Sequence, residues 1–365
     1  MHVVVAPDKF AGTLTAVEAA AAIAAGWRRR LPGSELVEVP MSDGGPGFVD
    51  VLHAALGGEL LALTVRDPYG VPVPATVLRV GETAYVETAQ AIGLHLTAPE
   101  ERRPLWATSF GAGQLVAAAL DDGATRIVVG AGGSATNDGG AGFLAALGAQ
   151  ARGAEALVQG PRGLDHLEHV DLTAARDRVG TAQLVLASDV DNPLLGLLGA
   201  TKTFGPQKGL AEDELLTVDG LLQRFAELAG RKVAAQKGAG AAGGIGYALL
   251  LLGAVRRPGV EVVADAVDLS GRLAGADLVI TGEGAFDFSS RSGKVPYGVA
   301  QVAATSLVPC IALAGQVLVG SREMRALGIE AAYSVVDRVG EERAFAEPAA
   351  ALADLAERVS RTWGR

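Results

Sequence analysis

The chain has 365 residues, 49% of them hydrophobic, and a formal net charge of -10 from 31 Lys and Arg against 41 Asp and Glu. That length and apolar content give one large or two medium domains with ample core and exclude a disordered chain. The acidic balance argues against nucleic acid or an acidic membrane surface as partner and fits the handling of small metabolites, whose anionic groups must then be met by local cations.

The single cysteine, Cys310, lies in an apolar run and reads as a small core residue that can form no intrachain disulfide. The N-terminus lacks a basic segment and a long apolar stretch, and the longest apolar run, Tyr247 to Val255, is too short for a bilayer. The expected setting is the cytoplasm, without membrane insertion.

Along the chain, His2 to Ala6 reads as a buried parallel strand, followed by Pro7-Asp8-Lys9 and a helix opened by Thr15 with Glu18 three residues later. Leu36 to Pro40 is a second strand, ending in Met41-Ser42-Asp43-Gly44-Gly45 before a helix from Phe48 to Leu56. From Glu59 to Leu96 the pattern alternates, with turn signals at Asp67-Pro68-Tyr69-Gly70 and Gly81-Glu82, as antiparallel hairpins do. A helix over Gly111 to Leu120 leads into Ile127-Val128-Val129, then into the glycine-rich stretch from Gly130 to Gly142 and a helical Phe143 to Leu147. Arg152 to Gly180 reads as irregular connecting structure. Further strands are expected at Leu184 to Ala187, Asp277 to Thr281, Pro309 to Gln316 and Ala331 to Val336. Lys202 to Gly209 reads as a polar turn, Leu215 to Leu228 as a surface helix and Gly238 to Gly246 as a second glycine-rich segment.

The stretch from Gly130 to Gly142 carries the first functional signal. Glycines let backbone N–H groups approach an anion, and the positive end of the following helix faces the same point, so a phosphate is the expected guest, with Ser134, Thr136, Asn137 and Asp138 on the rim. The competing reading is an ordinary tight turn. Asp8, Lys9, Asp43, Ser134, Asp189, Asn192, Glu283 and Gln316 all fall just beyond strand carboxyl ends, where open α/β sheets bind ligands. Any one of them could instead cap a following helix; the set points to a shared site.

Known motifs exclude several chemistries. Gly293-Lys294 is followed by Val295, so there is no P-loop, and His166 with His169 in a charged region makes no zinc site. Gly130-x-Gly132-x-x-Ala135 and Gly238-x-Gly240-x-x-Gly243 match the dinucleotide fingerprint only loosely. Carboxylates, lysines and glycine turns without His or Cys suit phosphoryl transfer, which depends on positioning and charge neutralisation.

Pro7-Asp8-Lys9-Phe10, Pro40-Met41-x-Asp43-Gly44-Gly45, the string Gly132 to Gly142, Asp189-Val190-x-Asn192-Pro193-Leu194, Gly205-Pro206-Gln207-Lys208-Gly209, Gly238 to Gly244 and Thr281-Gly282-Glu283-Gly284-x-x-Asp287 occur in order over nearly the whole chain. Together they resemble the type I glycerate kinase family. The resemblance implies ATP-dependent phosphorylation of D-glycerate, at its 2- or 3-hydroxyl, with Mg²⁺. It also implies a two-domain α/β protein with the active site in the interdomain cleft. We expect residues 1–66 and 276–365 to form a discontinuous parallel α/β domain, with 67–275 an inserted mixed-sheet α/β domain carrying the glycine loop.

With this resemblance in hand, Asp189 reads as the general base, with turn capping before Pro193 as its competing use. Candidate substrate- or phosphate-binding residues are Asp8, Lys9, Asp43, Gly44, Gly132, Gly133, Ser134, Asn137, Asp138, Asn192, Lys208 and Lys294. Asp43, Glu283 and Asp287 are candidate Mg²⁺ ligands, directly or through water. The Gly238 to Gly246 segment serves either nucleotide or close packing. The family pattern usually has Lys where Ala11 stands, Glu at Pro46, Thr at Phe48 and Gln at Ser289, which leaves substrate choice more open than reaction type. Two rivals remain. One is a nicotinamide-dependent hydroxy-acid oxidoreductase, for which Glu155 stands near the ribose-binding distance; the other is a non-catalytic phosphometabolite-binding protein.

Overall fold

The computed structural model describes residues 1–10, 12–152, 155–287 and 294–364. They form an α/β protein of two compact units. The first comprises Met1–Asp43, Asp50–Gly57 and the chain from Gly259 onward; the second comprises Gly44–Val49 and Gly58–Pro258.

The first unit is built on a sheet of parallel strands in the order Ala331–Ser334, Cys310–Ala314, Leu278–Thr281, His2–Val5, Glu35–Glu38. Counted along the chain from the Glu35–Glu38 edge this is 2-1-3-4-5, a doubly wound order. The path across the sheet reverses between His2–Val5 and Leu278–Thr281, where Val3 pairs with Leu278 and Val5 with Ile280. Val3, Val4, Val5, Leu278, Val279 and Ile280 are all 0% exposed, which explains why these strands read as unbroken apolar runs. The edge strand instead keeps Glu35 and Glu38 exposed, charges that discourage pairing with another edge.

Helix Ala16–Arg30 begins with the expected capping box. Glu18 N–H donates to Thr15 Oγ1 at 3.2 Å and Thr15 N–H to Glu18 Oε2 at 2.9 Å. Arg28, Arg29 and Arg30 in its last turn face the negative end of the helix dipole. Ala19, Ala20, Ile23 and Trp27 share a core cluster with Leu352, Leu355 and Ala356 of helix Pro348–Trp363. A Cβ on Gly26 would run into the Ala353 carbonyl, so glycine is what lets these two backbones meet.

The second unit carries a mixed sheet in the order Val255–Arg257, Gln183–Ala187, Arg126–Gly130, Thr83–Glu87, Pro72–Val80, Glu59–Arg66. The first four strands are parallel and the last two add antiparallel. Asp67 makes the hairpin turn, its Oδ1 accepting the N–H groups of Tyr69 and Val71 at 2.8 Å each.

The unit boundaries fall elsewhere than at Arg66 and residue 276. Strand Glu59–Arg66 pairs along its whole length with Pro72–Val80 and so belongs to the second unit. Helix Gly259–Ala266 belongs to the first, where Val260 lies against Gly298 of helix Val295–Thr305. Within the stretch read as irregular, Gln150–Ala151 pairs with Val170–Asp171 and Thr173–Val179 is helical. The expected polar turn from Lys202 to Gly209 starts instead as helix Ala200–Phe204, because Ala200 and Thr201 are fully buried and hold that segment against the core.

Gly26→Val should destabilise the protein by about 1–3 kcal/mol through overpacking. Ala25→Val, on the exposed side of the same helix, should cost less than about 1 kcal/mol. Urea unfolding followed by intrinsic tryptophan fluorescence checks this, and equal losses for the two variants would contradict the close helix contact.

Candidate active site

In the first unit, the switch point in strand order places Asp8 and Lys9 beyond His2–Val5 and Glu283 beyond Leu278–Thr281. The two strand ends are tied together by Asp8 N–H donating to the Gly282 carbonyl at 2.8 Å. Lys9 N–H donates to Asp8 Oδ1 at 2.7 Å, and Lys9 Nζ lies 3.7 Å from Asp8 Oδ1 and 3.5 Å from Asp43 Oδ1. Burial pushes the Asp8 carboxyl up to about 7; Lys9 pulls it down and the neighbouring Asp43 and Glu283 charges push it up.

Lys294 Nζ lies 3.6 Å from Glu283 Oε2 and 3.7 Å from Asp287 Oδ1. Lys9 and Lys294 therefore each stand between two carboxylates. The proposed Mg²⁺ ligands, Asp43, Glu283 and Asp287, do not gather into a cage: among the described residues no group of three or more His, Cys, Asp or Glu side chains is placed to hold a metal. Ala11 and Ser289 lie outside the described residues.

In the second unit, the glycine stretch runs from the end of strand Arg126–Gly130 into helix Ala141–Ala146. Its two ends behave differently. Gly132 and Gly133 are at least partly exposed, and their amide N–H groups make no hydrogen bond among the described residues. From Ser134 to Gly142 every residue is buried.

The polar side chains expected on a ligand-facing rim are thus found inside the loop. Asp138, 0% exposed, accepts the N–H and Oγ–H of Ser109 at 2.8 Å each, Gly140 N–H at 3.0 Å and Gly142 N–H at 3.1 Å. Burial pushes its carboxyl up, against the pull of these donors, all of which point hydrogens at the carboxylate oxygens. Asn137 Nδ2 donates to Thr201 Oγ1 at 3.0 Å. Lys208, only 3% exposed, donates from Nζ to the Thr136 carbonyl at 2.6 Å and to Ser134 Oγ at 3.1 Å. Burial brings the Lys208 amine down to about 7, against the attraction of Asp138. Its neutral form still carries two N–H bonds, one for each acceptor.

Gly238–Gly246 packs closely against this loop. Gly139 N–H donates to the Gly243 carbonyl at 3.0 Å, and a Cβ on Gly243, whose φ is 68°, would strike the Thr136 carbonyl. Gly44, with φ 88°, passes within 2.7 Å of the Ala187 carbonyl as measured from an added Cβ, and Gly132 meets Gly45 at the same distance. Pro46 lies against Gly133, and Phe48 beneath Gly130 stacks edge-on with Tyr85 at 6.2 Å.

Asp189 is half-buried just beyond strand Gln183–Ala187. Asn192 braces the following loop, Nδ2 donating to the Leu198 carbonyl at 2.7 Å. The pairing of Asp191 with Arg256 at 2.7 Å and with Lys237 at 3.2 Å was not foreseen. Nor was the role of Ser109, although its place immediately before helix Phe110–Asp121 is a cap signal. Glu155 stands before a single 3₁₀ turn, Ala156–Val158, and at no strand end, which removes the ribose acid of the oxidoreductase reading.

Lys208 links this geometry to pH. The unfolded chain holds its proton up to about 10.5, whereas the fold releases it near 7. Between those limits the unfolded state binds more protons, so the lysine's contribution to stability rises with pH and is smallest below about 7. Stability measured by urea unfolding should therefore rise with pH relative to that of Lys208→Met. A constant difference between the two from pH ~6.5 to ~9.5 would contradict a neutral buried amine.

The glycerate kinase family model matches residues 3–364. The glycerate kinase of Bacillus subtilis (strain 168) is 42% identical over 345 residues, 92% of this chain and 90% of the relative. The glycerate 2-kinase of Escherichia coli (strain K12) is 41% identical over 350 residues, 93% of this chain and 92% of the relative. A crystal structure of a protein provisionally named glycerate kinase 2, from Salmonella typhimurium LT2, superposes with a TM-score of 0.84 at 39% identity, covering 99% of this chain and 98% of its own. With its strand-end acids, its paired lysines and its glycine loop, the chain belongs to the glycerate kinase family.

Proposed function

We propose that the protein transfers the γ-phosphoryl group of ATP to the 2-hydroxyl of D-glycerate, giving ADP and 2-phosphoglycerate. Family membership supports the reaction class, and the 2-position follows the name of the Escherichia coli relative. The observation that carries the reading is the pair of amides at Gly132 and Gly133 that make no hydrogen bond among the described residues, set at the partly exposed end of a loop whose Asp138, Asn137 and Ser134 side chains are held by Ser109, Thr201 and Lys208.

In this reading the Gly132 and Gly133 amides hold an anionic oxygen, while the start of helix Ala141–Ala146 is met from within by Asp138. Ser134, Asn137, Asp138 and Lys208 keep the amides in position. Asp189 accepts the proton of the attacking hydroxyl as the new P–O bond forms and the bond to the leaving ADP oxygen breaks. Lys9 and Lys294 meet the negative charge of carboxylate or phosphate, displaced by it from their carboxylate partners.

Mg²⁺ keeps most of its waters and needs only one or two protein carboxylates besides phosphate, so the hard oxygens of Glu283 and Asp287, both beside Lys294, fit it without a cage. They, with Asp43, would hold the ion, which when bound neutralises phosphate charge. We place the reaction in the cytoplasm, a reducing compartment that suits the lone buried thiol of Cys310.

An ATP-consumption assay with D-glycerate and Mg²⁺, with the product read by phosphorus NMR, tests this reading. The wild type should turn over and yield 2-phosphoglycerate, and Asp189→Asn should lose ~10²-fold or more in kcat with little change in KM. A loss of less than ~10-fold would move the general base away from Asp189.

A further inference from the structure

Within the first unit a cavity of about 210 Å³ opens beyond the carboxyl ends of strands His2–Val5, Leu278–Thr281, Cys310–Ala314 and Ala331–Ser334. Its walls are largely apolar, with Leu14, Val335 and Leu352 among them, and Phe345, 60% exposed, supplies an aromatic wall. Gln316 lines the same space. Its backbone N–H donates to the Gly284 carbonyl at 2.9 Å, which fixes its place, while its carboxamide makes no hydrogen bond among the described residues.

We infer that this cavity holds the adenine ring of the nucleoside triphosphate, with Gln316 reading the edge of the base. The inference rests on the kinase reading above and names a part of the substrate to which none of the residues considered so far was assigned. Size, chemistry and position agree on it. The cavity is smaller than the ~300–1,000 Å³ that takes a whole drug-sized ligand, so it suits one ring system with the sugar and phosphates outside. Apolar walls with an exposed phenyl ring suit a flat aromatic face.

A carboxamide presents one acceptor and one donor side by side. Adenine offers the complement, its N6–H donating to Oε1 and its N7 accepting from Nε2, whereas guanine places two acceptors, O6 and N7, along that edge. Phe10 and Gly284, which also line the cavity, are the chain neighbours of Lys9 and Glu283, so a nucleotide seated by its base leaves its phosphates on the side of the charged groups.

The test uses adenosine and guanosine, which carry no phosphate, against the full-length protein, with amide shifts followed by NMR. Adenosine should move the Gly284, Gln316 and Val336 amides and bind ~10-fold more tightly than guanosine. Gln316→Leu should weaken adenosine ~10-fold and erase the preference over guanosine. Phe345→Ala, at an exposed position that leaves the fold intact, should weaken both nucleosides. In turnover, Gln316→Leu should raise KM for ATP ~10-fold and leave KM for D-glycerate unchanged.

Adenosine shifts confined to other residues, or equal adenosine affinity in wild type and Gln316→Leu, would overturn the inference even if glycerate phosphorylation were intact. Adenosine binding at Gln316 in a protein without glycerate turnover would leave the base site standing and overturn only the choice of acceptor.

Discussion

The shape of the loop between Gly130 and Gly142 depends on a carboxylate and a lysine sealed inside the protein, and a loop proposed to offer backbone amides to an anion must hold that shape before the anion arrives. Asp138 gathers N–H groups from both sides of the turn and from Ser109, at the start of helix Phe110–Asp121. Lys208 ties down the Thr136 carbonyl and the Ser134 hydroxyl. Each is buried at an electrostatic cost that only a full set of hydrogen bonds offsets, so a partly formed loop is unfavourable and the loop is fixed in one conformation. The glycines do the complementary work: Gly243 and Gly244 bring a second backbone against Gly139, an approach that side chains would block.

The charge arrangement of the first unit follows another logic. The protein carries a net charge of -10, yet a glycerate kinase handles an anionic substrate and an anionic phosphate donor, and in the proposed reading the few cations near the strand ends meet them. Lys9 and Lys294 sit at 3.5–3.7 Å from their carboxylates, longer than tight hydrogen-bonded ion pairs, which leaves room for exchange of partners. The raised proton affinity of Asp8 belongs to the same crowding, since a carboxyl out of water beside Asp43 and Glu283 resists ionisation.

Much of this was legible in the sequence where the physics is local. Unbroken valine and isoleucine runs marked the doubly covered strands, Thr15 with Glu18 marked a helix start, and Asp67 with Gly70 marked a hairpin. The family was legible because its glycine and acid blocks are contiguous. What stayed hidden depends on distant residues. Asp138 and Ser109 stand 29 positions apart, and Lys208 is 72 positions from the Thr136 carbonyl it holds. A polar residue in a glycine loop looks the same in sequence whether it faces ligand or core. Gln316 marks the opposite case: its place beyond a strand end was readable, but the apolar cavity around it exists only once helix Pro348–Trp363 and the strand ends are assembled.

The central claim is that the Gly132 and Gly133 amides are the anion-binding groups of a loop already braced from within. The most direct measurement is the movement of those two amide resonances in ¹⁵N-labelled protein as ATP is added, with Asp138 and Lys208 intact. The account predicts downfield shifts of Gly132 and Gly133 that saturate with ATP, while the buried amides from Ala135 to Gly142 stay nearly still. Large shifts throughout the buried half, or none at Gly132 and Gly133 while ATP binds, would contradict it.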